Sequence, residues 1–196
     1  LTLSAAMLAV FSGFNADDAY IVGRYAANAA AGHGLVYNHG DYVSALTSPL
    51  HAVFETGLAM LGMEPVAAYR VLAPIILAVC LVVAVKNAKF SRIETLFFCA
   101  FSVASPFLLI WSVGGLETPL LSAWVTLFVV AFRQFSGPNN ISDRALISMG
   151  ILIGLAFLTR HDSIVLLGPL YFGVFVQTFR RRALWIGLTT GAALCL

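Results

Sequence analysis

Two adjacent carboxylates, Asp17 and Asp18, follow directly on an apolar run, in the stretch Asn15-Ala16-Asp17-Asp18-Ala19-Tyr20. Paired acids beside a membrane are costly to place in low dielectric, and there they mark a site more often than they decorate a surface. The alternative is that both are wet first-turn residues favoured by a helix N-terminus. The stretch is helix-permissive as far as Ala31, where Gly32-His33-Gly34 stops it. At helical spacing Asp17, Ile21, Arg24 and Asn28 share one face. Asp17 and Arg24 then lie roughly 10 Å apart along the axis. That is too far for a simple ion pair and suited to gripping two ends of one ligand.

Other polar clusters punctuate the apolar chain. Gly114-Gly115-Leu116-Glu117-Thr118-Pro119 breaks one apolar run and begins the next, with Thr118 as N-cap and Pro119 at the first helical position. Arg160-His161-Asp162-Ser163 does the same further on. Two helix starts beside Arg24 and Arg160 make a ready anion site. Plainer roles compete: Glu117 and Asp162 as caps or as partners of Arg160, and Arg160 as a snorkelling side chain. In Thr47-Ser48-Pro49, Ser48 reads as a cap. Tyr37, Tyr42, Tyr69 and Trp111 fit an interfacial belt as well as ligand stacking. His33, His39 and His51 match no zinc spacing and read as solvated or hydrogen-bonded. Arg180-Arg181-Arg182 reads as an anchor near anionic lipid. Asn140-Ile141-Ser142 is a chance sequon, and Cys80, Cys99 and Cys195 are small hydrophobes in apolar runs.

The elements that must position these residues follow from composition. Of 196 residues, 60% are hydrophobic and only 10% charged, against about 25% charged in an ordinary soluble domain. The balance points away from a soluble domain, a disordered chain or a nucleic-acid binder and toward an integral membrane protein. Apolar segments run roughly 1–14, 66–85, 93–113, 118–132, 145–158, 163–179 and 183–196. The expected fold is therefore all-α: a polytopic transmembrane helical bundle of about seven spans, with interfacial helices in the first outer loop. Residues 1–14 would be a truncated first span, 15–65 an outer loop with juxtamembrane helices, and 66–196 six further spans, the last one cut. An opening Leu1 and an apolar run still open at Leu196 read as a portion of a longer chain. Residues 49–62, only 14 long and carrying His51 and Glu55, suit a surface helix better than a crossing. With 49–62 on the surface, eight of the eleven basic residues fall on one side and seven of the nine acidic residues on the other.

The order of the patches carries a resemblance. Asp17-Asp18-Ala19-Tyr20-Ile21 with Arg24-Tyr25 is followed by Gly32-His33-Gly34-Leu35-Val36-Tyr37-Asn38, then Thr47-Ser48-Pro49-Leu50, then Gly115-Leu116-Glu117-Thr118 and Leu158-Thr159-Arg160-His161-Asp162. Nearly the whole chain resembles the polytopic GT-C glycosyltransferases that use a polyprenyl-phosphate sugar, in the branch similar to mycobacterial terminal arabinofuranosyltransferases. One departure is His161, where the commoner form of that patch has proline. The resemblance implies that Asp17 and Asp18 are catalytic; Tyr20, Arg24, Glu117, Arg160 and His161 are the expected substrate-binding residues. It implies a bacterial inner-membrane protein with its site facing outward, acting in cell-envelope glycan or glycolipid assembly. Its partners would be a polyprenyl-phosphate sugar donor, a glycan or lipid acceptor and membrane lipid.

The chemistry expected of such a site is one carboxylate acting as general base for an acceptor hydroxyl, with inversion at the anomeric carbon. The second carboxylate would orient the hydroxyl or hold a divalent cation (Mg, Mn or Ca). Arg24 and Arg160 would balance the departing phosphate. A transporter is a reading from another class, but it predicts mid-bilayer charges and inverted repeats. Neither is visible, and Arg70 is the deepest charge at only about one turn into its run. A non-catalytic membrane scaffold is the third.

Overall fold

The computed structural model describes residues 13–14, 16–40, 46–134 and 141–195. Among these the chain is all-helical: α1 (Asp17–Ala30), α2 (Pro49–Met60), α3 (Pro65–Asn87), α4 (Arg92–Ala104), α5 (Pro106–Val113), α6 (Thr118–Arg133), α7 (Asp143–Thr159), α8 (Ser163–Thr178) and α9 (Arg182–Ala193). The expected first span at 1–14 lies, apart from Gly13 and Phe14, outside the described residues, as do Asp41, Tyr42 and Asn140.

The expectation of about seven spans is corrected. Among the described residues only α3, at 23 residues, is long and apolar enough to cross a membrane. A second crossing is reached only by joining α4 and α5, which bend by 51° at the break between them. The reason is helix length. A bilayer core of about 30 Å needs about 20 residues at 1.5 Å each. The apolar run at 93–113 is cut at Ser105-Pro106, where Ser105 leaves helical geometry and its side chain caps α5 through Leu108 N–H. Helices α6, α7, α8 and α9 hold 16, 17, 16 and 12 residues. The sorting of basic and acidic residues onto two sides rested on seven crossings and goes with them. What stands is one helix able to cross a membrane, in accord with membrane association.

The chain divides into two units, the first formed by residues up to 77 with 90–119, the second by 78–89 with 120–196. In the first, α1 packs along α2. Its buried positions Ala19, Val22, Gly23 and Ala26 fall at the i, i+3, i+4, i+7 spacing of one helix face. Small residues there bring the neighbours close: a methyl at Gly23 would stand 3.6 Å from Glu55 Oε2 and closer still to the Val66 side chain. The end of α1 is closed by Gly32 at φ +82°, with His33 N–H donating to Asn28 C=O at 2.9 Å.

In the second unit α7 lies on α9, and two glycine pairs make the contact: Gly150 and Gly154 on α7 against Gly187 and Gly191 on α9. Both pairs have the four-residue spacing that lets helix backbones touch. In the same unit Phe128, Leu146, Met149, Leu167, Val174 and Leu184 form a buried hydrophobic core. Arg181, expected as a lipid anchor, instead donates to Ile141 C=O and pairs with Asp143.

Candidate functional site

Asp17 and Asp18 occupy the first turn of α1, and both are exposed. Their position comes from the residue before them. Ala16 caps the helix without a side-chain bond, and its own N–H donates to Gly114 C=O at 3.1 Å. The start of α1 therefore hangs on the connection between α5 and α6, the Gly114–Glu117 stretch. Gly115 makes the approach possible. It sits at φ +84°, and a methyl there would stand 3.0 Å from Ala19 Cβ and 3.3 Å from Arg70 Cγ. Arg70 fastens the same corner, donating from Nε to Val113 C=O at 2.6 Å and from Nη2 to Phe14 C=O at 3.0 Å. Thus the acidic pair and the Gly-Leu-Glu-Thr patch, about a hundred residues apart in sequence, are neighbours.

The other expected residues divide. Tyr20 is half exposed, and Arg24 is exposed with Nε donating to Tyr37 C=O at 3.3 Å. Asn28 shares their helix but not their role. It is buried, donating to Val36 C=O at 2.8 Å and Tyr37 C=O at 3.0 Å, and it holds the turn after α1 in place. His39 Nε2 lies 3.2 Å from Asn28 Oδ1, and its ring stacks on His33 at 4.0 Å. Ser48 precedes α2 but makes no side-chain cap.

Glu117 is nearly buried, with Oε2 3.8 Å from His51 Nδ1. His51 in turn meets Glu55 Oε1 through Nε2 at 3.1 Å and lies against the Tyr69 ring at 4.1 Å between centroids. Of the two roles expected for His51, solvated or hydrogen-bonded, the structure shows the second: it has no exposure at all and meets Glu55. The available signal was the i, i+4 spacing of His51 and Glu55 on one face of α2.

Arg160 and His161 belong to the second unit. The Arg160 guanidinium grips Asp162 with two bonds, Nε to Oδ1 at 3.0 Å and Nη2 to Oδ2 at 2.9 Å. That hydrogen bonding holds the Asp162 carboxyl below the usual aspartate range. Asp162 makes no cap bond to α8, so the local ion pair is its role. His161 sets its ring edge-on to Phe157 at 4.8 Å.

Chemically, the first unit offers two accessible carboxylates on a helix start, backed by a buried polar cluster. Among the described residues no three His, Cys, Asp or Glu side chains are grouped to hold a metal ion. Asp17 and Asp18 would need phosphate oxygens and water to complete a shell, which is the manner in which Mg²⁺ is commonly bound. Comparison of the chain with protein-family models, with curated proteins and with solved structures gives no match.

Proposed function

We propose that this chain is part of a membrane glycosyltransferase that moves a sugar from a polyprenyl-phosphate donor to an acceptor hydroxyl of a glycan or lipid. The observation that supports it most is the bond from Ala16 N–H to Gly114 C=O. It joins two of the five patches that carry the resemblance to GT-C enzymes, Asp17-Asp18 and Gly115-Leu116-Glu117-Thr118. A helix able to cross a membrane beginning in the same unit suits a donor whose tail stays in lipid. The setting we propose is a bacterial inner membrane, with the site on its outer face.

In this reading Asp17 or Asp18 takes the proton of the acceptor hydroxyl. The hydroxyl oxygen forms the bond to the anomeric carbon as the bond to the prenyl phosphate breaks, and the configuration inverts. The phosphate leaves with the electron pair, and a divalent cation on the acidic pair would balance its charge. Exposure suits both carboxylates to this task, because a base must reach a hydroxyl arriving from water.

The test is sugar transfer by the whole protein in membranes from a panel of radiolabelled polyprenyl-phosphate donors. We expect Asp17→Asn or Asp18→Asn to lower transfer by about 10²–10⁴-fold, the usual contribution of a positioned base. Full transfer by both variants, or none from any donor by folded protein, would overturn the reading and leave the transporter or the scaffold.

A further inference from the structure

Within the second unit an open groove of about 530 Å³ runs between α3, α6 and α7. Its two ends differ. At one end α3 and α6 stop and α7 begins, and the lining there is Asn87, Gln134, Ser142 and Arg144. Deeper, one to three turns in from those helix ends, the lining is Val83, Leu127, Ile151 and Leu152. Ser148, on the wall between, turns its hydroxyl back to Arg144 C=O at 2.7 Å.

Cations dominate the polar end. Arg144 is exposed, and among the described residues that line the groove it is the only charged one. Lys86 and Arg133 stand next to Asn87 and Gln134 in the chain, at the same helix ends, and both are exposed. The acid nearest in sequence, Asp143, is paired with Arg181.

Dimensions and setting narrow the occupant. From Ser142 to Leu152 the wall runs about 15 Å along α7, half of a hydrocarbon core of about 30 Å. A partner helix about 10–12 Å across would displace more than about 1,100 Å³ over that length, more than the groove offers. A single hydrocarbon chain fits within it. The α3 wall belongs to the helix that is long and apolar enough to cross a membrane. Lys86, Lys89 and Arg92 gather at the end of α3 beside the groove, against Arg70 alone near its start. The bias of basic residues toward the cytoplasm puts this end on that face, in the leaflet that carries anionic lipid.

We propose that this groove holds an anionic phospholipid, with one acyl chain against Val83, Leu127 and Ile151 and its phosphate at Arg144. The guanidinium offers a phosphate paired N–H donors and a fixed charge. Bulk lipid tails are as apolar as these walls, so the walls give the chain a shape to follow and the head group supplies the preference. The site lies in the other unit from Asp17 and Asp18 and does not depend on glycosyl transfer.

The experiment is native mass spectrometry of the whole protein released from detergent micelles holding equal amounts of phosphatidylglycerol and phosphatidylcholine of one chain length. We expect phosphatidylglycerol to be retained in preference. Arg144→Gln should cut that preference by about 5-fold, the worth of one basic side chain at an anionic surface. Arg180→Gln removes the same charge from an exposed residue of the same unit that does not line the groove, and should stay within about 2-fold of the unmutated protein. Val83→Trp fills the groove from an exposed position and should lower retention of both lipids by more than about 3-fold. Arg144→Gln, at an exposed side chain, decides the matter alone if Val83→Trp does not fold. Equal losses in Arg144→Gln and Arg180→Gln would reduce the effect to general surface charge and overturn the site. So would release of the lipid by millimolar inorganic phosphate, preferential retention of an added polyprenyl phosphate, or no retained lipid.

Discussion

The contact between α7 and α9 sets up a test in which one type of substitution changes sign with its surroundings. At Gly154 a methyl would stand 2.6 Å from Gly191 O, 2.8 Å from its Cα and 2.9 Å from its carbonyl carbon. Carbon atoms rest at about 3.5–4.0 Å, so Gly154→Ala requires α9 to withdraw by roughly 0.7–1.2 Å. Nothing can rotate away, because every atom met is backbone. Overpacking of this kind costs about 1–3 kcal/mol, and a backbone-on-backbone clash belongs in the upper half of that range. The helix preference of alanine over glycine returns about 0.8–1.0 kcal/mol. The net expectation is a loss of about 1–2 kcal/mol. Gly173, in α8 of the same unit, is the control: a methyl there meets nothing within 4 Å. Gly173→Ala should therefore gain about 0.8–1.0 kcal/mol from helix preference alone. The two variants should differ by about 2–3 kcal/mol in denaturant unfolding of the detergent-solubilised protein followed by tryptophan fluorescence. If Gly154→Ala proved as stable as the unmutated chain, or moved together with Gly173→Ala, the close packing of these helices would be refuted.

Three further expectations follow from single contacts. Arg70→Met removes a cation that donates to Val113 C=O and Phe14 C=O. At about 1.5–3 kcal/mol per charge-assisted bond, discounted because the site is partly exposed, the first unit should lose about 2–3 kcal/mol. Amides near the end of α5 should exchange faster; unchanged exchange would contradict the clamp. Gly115→Ala places a side chain at φ +84° and against Ala19 Cβ. It should cost about 1–2 kcal/mol from the left-handed backbone alone, and adding Ala19→Gly should recover the contact but not the backbone strain. For Asp162, the bonds from Arg160 place its carboxyl midpoint below the ordinary aspartate value. Any stability it adds is present above the ordinary value and lost as pH falls through the lowered one. Carboxyl NMR of Arg160→Gln should find the midpoint returned upward, and an unmoved midpoint would refute the pairing.

The sequence by itself determined that the chain is helical and where many helices begin and end. Residues that act within a turn or two carry that information. Gly32 stops α1, Pro49 opens α2, and Arg160-His161-Asp162 separates α7 from α8. The acidic pair was legible for the same reason, because two neighbouring aspartates on a helix start need no partner to be seen. The number of spans was not. Apolar composition is a property of a run of residues, whereas crossing a bilayer requires one unbroken helix, and Ser105-Pro106 breaks the run at 93–113. Nor was the fate of polar side chains legible. Arg24 and Asn28 lie one turn apart on α1, yet one is exposed and the other buried beneath Val36 and Tyr37. For His51 the sequence leaves solvation and hydrogen bonding both open, and tertiary packing decides between them by setting Glu117 and Tyr69 around it. Local order follows backbone preferences and caps, which act over a few residues. The environment of a buried charge depends on groups distant in sequence, and only the folded chain brings them within a few ångströms.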